Sequence, residues 1–410
     1  VPKQIATRVF CFFLSYGLGF SSLTAQLIFQ KTYGGAQDDQ FHQVRQTSTG
    51  GFTLAGTSYS LGQGERDLFM VQTDVAGTSQ WSRTFGGTDR DVARDVIELS
   101  NGGGGLLLVG NTLANPPAGD LATYARYDMT GNQTWFRVVG GIYDNELYKG
   151  LEVLGGFAFC GFSNSYSGNG YNDMTLVRTD ANGNVLFANH YGGWQNDQAF
   201  DFQQTSDGGF VLAGRSASFS TGANWDMYVV KVNLAGTVQW ARTIGGAGTE
   251  EAWSVRQTSD GGYLVAGFTT SYGAGGEDMF LVKLSANGGL SWARTYGSPG
   301  NDRAYEAEEL PGGRYALAGF ASQGNGGRDA ALLQLNANQT IQWAMSYGGT
   351  QNDEAWAMDL RNSPQGGYLL AGFTQSFGNG GMDAYLIATD TLGNSGCQQS
   401  SINLSTASHN

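Results

Sequence analysis

The chain has 410 residues, of which 64 are glycine and only 6 proline, and 14% are charged. Glycine at this level without a Gly-x-y period rules out collagen, and 40% hydrophobic with 12% aromatic residues is too apolar for a disordered chain. A formal charge of −13 argues against nucleic acid or an anionic membrane surface as a partner, because phosphate binding needs a basic face.

From the N-terminus, Lys3 and Arg8 accompany an apolar run from Val9 to Phe20, followed by the small residues Ser21, Ser22, Thr24 and Ala25. This is the pattern of a secretory signal at residues 1–25, cut after Ala25 to leave Gln26. The run is shorter than the roughly 20 residues of a transmembrane helix, and no later segment is apolar enough to span, so no membrane insertion is expected. The expected location is secreted or cell-surface, with the periplasm as the alternative. Cys11 leaves with the signal. Cys160 occupies a position that is Ala55, Ala213, Ala266, Ala318 and Ala371 elsewhere, so it reads as a small core residue, a bridge to Cys397 being the alternative.

Beyond the signal the chain repeats itself. A Tyr-Gly-Gly-like start recurs at residues 33, 85, 139, 191, 244, 296 and 347, with spacings of 52, 54, 52, 53, 52 and 51. Each unit holds four strand-length runs separated by glycine-rich turns; in the fifth they are EEAWSVRQT, GGYLVAGFT, EDMFLVKLS and GLSWARTYG. Ser259-Asp260-Gly261-Gly262 between the first two is a hairpin signal. Four antiparallel strands, seven times over, predict an all-β, seven-bladed β-propeller spanning residues 26–397.

The ends predict how the ring closes. The last repeat stops near Cys397, without the aromatic fourth strand that its siblings carry at Trp81, Trp135, Phe187, Trp240, Trp292 and Trp343. That strand is found at the other terminus, where LIFQKT sets Phe29 four residues before Tyr33. The N-terminal strand is therefore expected to complete the seventh blade, which places the first strand of every repeat innermost. A monomer is expected. Residues 398–410 read as a disordered tail or the beginning of a linker.

The pattern Tyr-Gly-Gly, acid-x-Ala, Asp-Gly-Gly-Tyr-x-x-Ala-Gly, Asp-x-x-x-x-Lys and Trp-x-x-x-Tyr-Gly resembles the secreted bacterial β-propeller repeats of Gram-negative surface and secreted proteins. The resemblance covers residues 27–397 and implies fold and export more than any activity. Such proteins leave by a C-terminal sorting domain, which has no counterpart among these residues.

No catalytic constellation stands out. His42, His190 and His409 are far apart, and there is no Gly-x-Ser-x-Gly, His-Glu-x-x-His, Cys-x-x-Cys or P-loop pattern. Two acidic sets recur. The first, six residues after each start, is Asp39, Asp91, Asn145, Asp197, Glu250, Asp302 and Asp353. Its six carboxylates are expected at the channel mouth, where calcium is the candidate cation unless each acid caps its own turn; no cofactor is required. The second, Asp67 and its six equivalents, reads as turn-capping. Basic residues on the fourth strand (Lys31, Arg83, Arg137, Arg242, Arg294) are expected to ion-pair with one of these sets.

Nine residues after each start the residue varies: His42, Arg94, Tyr148, Phe200, Trp253, Tyr305 and Trp356. Aromatic rings beside polar groups stack on and hydrogen-bond sugars. The candidate ligand-binding residues are Trp253, Tyr305 and Trp356 of this set, with Trp194 and Trp225 in loops of the fourth repeat. A further loop, Asn111–Gly119, is stiffened by Pro116-Pro117. The expected function is a non-catalytic secreted or surface binding or adhesion scaffold that engages a glycan or a protein through one propeller face. The alternatives are a glycan-directed propeller hydrolase or lyase, and a structural module of a larger surface protein.

Overall fold

The computed structural model describes residues 6–15, 26–100, 104–113, 119–141, 143–165, 170–222, 224–322, 327–362 and 366–409. They form seven antiparallel sheets of at least four strands, six of them built on four consecutive strands and the seventh completed by a strand from the N-terminus, so the protein is a seven-bladed β-propeller. The first strands, innermost in each blade, are Asp39–Gln46, Asp91–Glu98, Asn145–Val153, Asp197–Gln204, Glu250–Gln257, Arg303–Leu310 and Asp353–Leu360. No helix among the described residues is long and apolar enough to cross a membrane. The Asn111–Gly119 loop lies largely outside the described residues, as do residues 1–5 and 16–25 of the signal-like segment.

The ring closes as the sequence predicts. Gln26–Gly34 pairs with Asp383–Ala388, Phe29 opposite Ala388 and Tyr33 opposite Ala384. Phe29 and Tyr33 are fully buried in the core between blades seven and one. Buried Gln30 donates to Ser395 Oγ at 2.7 Å and accepts from the Tyr385 hydroxyl, and Arg361 donates to the Leu27 carbonyl at 2.8 Å. Ala6–Ser15, inside the signal-like segment, pairs antiparallel along the outside of this strand.

The tail differs from expectation. Gln399–Ser401 pairs with the outer strand of blade six and Ser405–His409 with that of blade five. Its polar composition suggested disorder, yet an outer edge offers unpaired backbone groups to any extended segment. Ile402, 9% exposed, and Leu404 pack onto the adjoining core.

Apolar burial is concentrated between blades, where seven clusters occupy the seven seams. The fourth-strand cations reinforce these seams without the ion pairs expected of them. Arg83 lies over Trp81, Arg137 over Trp135 and Arg242 over Trp240, with ring distances of 5.6, 5.4 and 5.9 Å. Arg83 and Arg242 then donate to carbonyls in the following blade's last turn, at Thr130 and Gly288. The reason is reach: two residues beyond the aromatic, a cation meets that turn and not the acids at the strand starts. Cys160 is a free thiol buried in the core between blades three and four, so it forms no bridge to Cys397.

One packing contact recurs in every blade. A Cβ built on the second-strand glycine (Gly56, Gly110, Gly161, Gly214, Gly267, Gly319, Gly372) would lie 1.7–1.9 Å from the carbonyl oxygen seven residues after the repeat start. Only glycine admits that approach. Beside it, every innermost strand slips by one residue: Phe41 pairs Gly56 and Gln43 pairs Ala55, leaving His42 as a bulge, and Ala252 and Ser254 do the same around Trp253. Gly267→Ala should therefore cost about 3 kcal/mol or more, since its Cβ meets the backbone at Glu251 and not a movable side chain. Urea unfolding measures this; a midpoint equal to the native chain's would mean that the strands have room to spare.

Candidate functional site

The seven bulged residues are the seven variable residues nine positions after each start. A bulge re-aims its extra side chain, and here all seven turn into the channel, lining a cavity of about 330 Å³. They touch in sequence around it. Arg94 lies 4.7 Å over the Tyr148 ring. Tyr148 meets Phe200 at 5.1 Å, Phe200 stacks on Trp253 at 4.2 Å and 9°, and Trp253 meets Tyr305 edge-on at 5.5 Å. Glu354 bridges the next gap, accepting from Trp356 Nε1 at 2.7 Å and the Tyr305 hydroxyl at 3.4 Å. Trp356 meets His42 at 5.1 Å, and His42 Nδ1 donates to the Ala93 carbonyl at 2.7 Å, which returns the circle to Arg94. Burial first, then Arg94, push the His42 pKa down to about 3, so the imidazole is neutral.

A collar surrounds this tier. At three seams it joins the residue before the third strand to the residue seven after the next repeat start. Glu277 binds Arg303 at 2.6 Å, Arg328 binds Glu354 at 2.9 Å, and Met382 Sδ accepts from Gln40 at 3.1 Å. Trp225 belongs to this collar. It lies under Arg215 at 4.1 Å, and Arg215 also covers Phe200 and pairs with Glu251. Trp225 thus buttresses the cavity from outside it.

Farther along the strands the channel is filled by charge. Arg256 binds Asp201 at 2.5 Å, Glu308 at 2.7 Å, and Glu306. Burial would raise the Glu306 pKa, but Lys149, Arg256 and Arg45 outweigh it and hold the carboxyl below its ordinary value. Two of these acids, and Asp95 beside Arg45, also accept a backbone N–H from the next blade's innermost strand: Asp95 from Gly150, Asp201 from Val255 and Glu306 from Met358, at 2.9–3.3 Å. An innermost strand is an edge, and these carboxylates satisfy N–H groups that no strand pairs. The cavity is therefore a blind cup with an ionic floor.

Of the sequence candidates, the structure brings Trp253, Tyr305 and Trp356 together in this cup. Trp194 stands 83% exposed, away from it. His42, Arg94, Tyr148 and Phe200 belong beside the three, and their position in the repeat was the signal for them. Arg66, Lys149 and Arg303 also line the cup; only the pairing of positions across seams could have pointed to Arg66 and Arg303.

The calcium ring does not assemble. Asp39, Asp91, Asp197, Glu250, Asp302 and Asp353 are buried at the seams and turned back on their own turns. Each accepts a backbone N–H four residues earlier: Gly35, Gly87, Gly193, Gly246, Ser298 and Gly349. Among the described residues no three acids, histidines or cysteines are grouped to hold a metal. Several acids instead face an aspartate of the preceding blade's third strand across a glycine of the repeat start. A Cβ on Gly192 would lie 2.0 Å from Asp173 Oδ1 and 2.6 Å from Asp197 Oδ2.

No protein-family model and no curated protein matches the sequence. Among solved structures, BBS1N crystallised in complex with ARL6DN aligns with a TM-score of 0.48 at 9% identity, over 87% of this chain and 94% of its own. Puromycin hydrolase aligns with a TM-score of 0.49 at 12% identity, over 83% of this chain and 51% of its own, so this chain spans about half of it. Sqt1 from Chaetomium thermophilum aligns with a TM-score of 0.48 at 12% identity, over 83% of each chain. These likenesses are distant and say nothing of what this chain binds.

The facing carboxyls generate a pH test. Burial first, then Asp197, push Asp173 up to about 6 from its ordinary 3.8. The folded chain therefore holds a proton that the unfolded chain releases, and stability falls as pH rises from about 4 to about 6, levelling off above. Asp173→Asn removes the penalty and should raise the melting temperature at pH 8 but not at pH 4. An equal shift at both values would put the effect elsewhere.

Proposed function

We propose that this chain is a non-catalytic binding scaffold, secreted or held at the cell surface, that takes part of a glycan into the mouth of its central channel. The observation that carries the reading is the cup itself. One variable residue from each of seven blades is turned by a bulge into a single cavity whose size suits one or two sugar rings. Loops and bulges vary while the scaffold stays constant, which is how binding sites are built on rigid folds. Trp253, Tyr305 and Trp356 supply apolar faces; Gln40 and the arginines supply polar edges.

Binding is favoured over cleavage by the lining. Glycoside hydrolysis needs two carboxyl groups flanking the bond, and no acid is among the described residues that line the cup. Export rests on the signal-like N-terminus and on the resemblance to secreted propeller repeats, and no cofactor is needed for the proposed role.

A glycan array probed with the full chain tests the reading. The native chain should bind a defined set of sugars. Trp253→Ala should weaken that binding at least tenfold, and Trp253→Phe should recover part of it at an unchanged melting temperature. Trp194→Ala, outside the cup, should bind as the native chain does. An array without a single bound sugar, or binding lost with Trp194 and kept without Trp253, would overturn the proposal.

A further inference from the structure

The overall charge is −13, yet the described residues lining the cup include Arg66, Arg94, Lys149 and Arg303 and no acid. Two of these cations are already answered, Arg94 by Glu146 at 3.1 Å and Arg303 by Glu277. Lys149 has no ion pair among the described residues, although its charge is felt by Glu306 in the floor.

Arg66 is different, and the repeat explains why. At three other seams the residue before the third strand meets a complementary residue in the next blade: Glu277 with Arg303, Arg328 with Glu354, Met382 with Gln40. At the seam between blades one and two those positions are Arg66 and Val92. Valine offers nothing to a guanidinium, and Arg66 has no carboxylate within ion-pair distance among the described residues. Its Nε–H is buried without a hydrogen-bond partner, and so are Arg94 Nε and Trp253 Nε1 in the same lining. All three are donors on residues that line the cup. A buried N–H that stays unmade costs free energy, so a site with spare donors and a spare positive charge favours a ligand that brings acceptors and a negative charge.

We propose that the sugar taken by the cup is acidic: a hexuronate ring whose flat face lies on the aromatic arc and whose carboxylate is held by Arg66. This rests on the reading of the channel mouth as a glycan site and narrows it to one class. A neutral sugar presents hydroxyl acceptors but leaves the Arg66 charge unanswered. A uronate answers both, and the guanidinium plane matches a carboxylate with two parallel N–H···O bonds.

Calorimetry on the full chain with a galacturonate trisaccharide and its fully methyl-esterified form isolates the charge, since the ring is the same in both. The acid should bind at least tenfold more tightly than the ester at low salt, and the gap should narrow as salt is raised. Arg66→Met should abolish the difference while leaving the weaker, ester-like binding. Arg66→Lys, which keeps the charge but loses the fork, should retain part of the difference; both variants should melt with the native chain. Equal affinity for acid and ester in the native chain would overturn this inference and leave the glycan reading standing. Binding of a neutral array sugar with no response to the acid would do the same. Failure of every sugar, acidic and neutral, would overturn the glycan reading as well.

Discussion

In each blade a backbone carbonyl of the innermost strand sits where a side chain on the facing second-strand glycine would begin, and the bulge beside that contact decides where the variable residues go. A regular ladder would send alternate side chains to the two seams and leave the channel with little but backbone edges. The one-residue slip leaves an extra residue free of pairing and turns it inward. Because the glycine is present in all seven units, so is the slip, and the seven residues that emerge there, with Glu354 and the Ala93 carbonyl bridging two gaps, close a ring of contacts. Scaffold and site are thus separated: the glycine and the seam residues recur, and the residue at the bulge is free to differ.

Charge is distributed by the same logic. The chain is acidic, but many carboxylates are committed to backbone N–H groups. Those at the strand starts, such as Asp39 and Asp302, hold the repeat-start turn. Those farther in, Asp95, Asp201 and Glu306, hold the neighbouring blade's free edge and an arginine at once. Both uses take negative charge away from the cup, so an acidic protein presents a basic, aromatic mouth. Facing carboxyls at the seams are the cost of this arrangement, visible in the raised pKa of Asp173 and of Asp383, where burial and then Asp39 act together.

The architecture was legible because it is periodic. Seven starts at near-constant spacing and a missing strand matched by LIFQKT leave few alternatives, and the register of Phe29 opposite Ala388 follows from them. Side-chain direction was not legible, because a strand's alternation hides a bulge: nothing in the string EEAWSVRQT marks Trp253 as the residue that is skipped. The glycine of Ala-Gly carries that information, but only as a distance across two strands. Trp194 misled for a related reason. An unusual residue at a loop position reflects tolerance at the surface as readily as a binding role. The acidic set misled because recurrence was read as convergence, whereas each acid answers a local N–H. In the tail, polar composition concealed strands because the pairing edges they use belong to blades five and six.

A crystal structure of the full chain with a bound galacturonate trisaccharide tests the central claim most directly, since that claim concerns which residues the ring of bulges brings to a ligand. The account predicts one sugar ring inside the cup, its face on the Phe200–Trp253–Tyr305 arc and its carboxylate on Arg66, with the innermost strands unmoved. A sugar ordered on the outer surface beside Trp194, with the channel mouth holding only water, would contradict it.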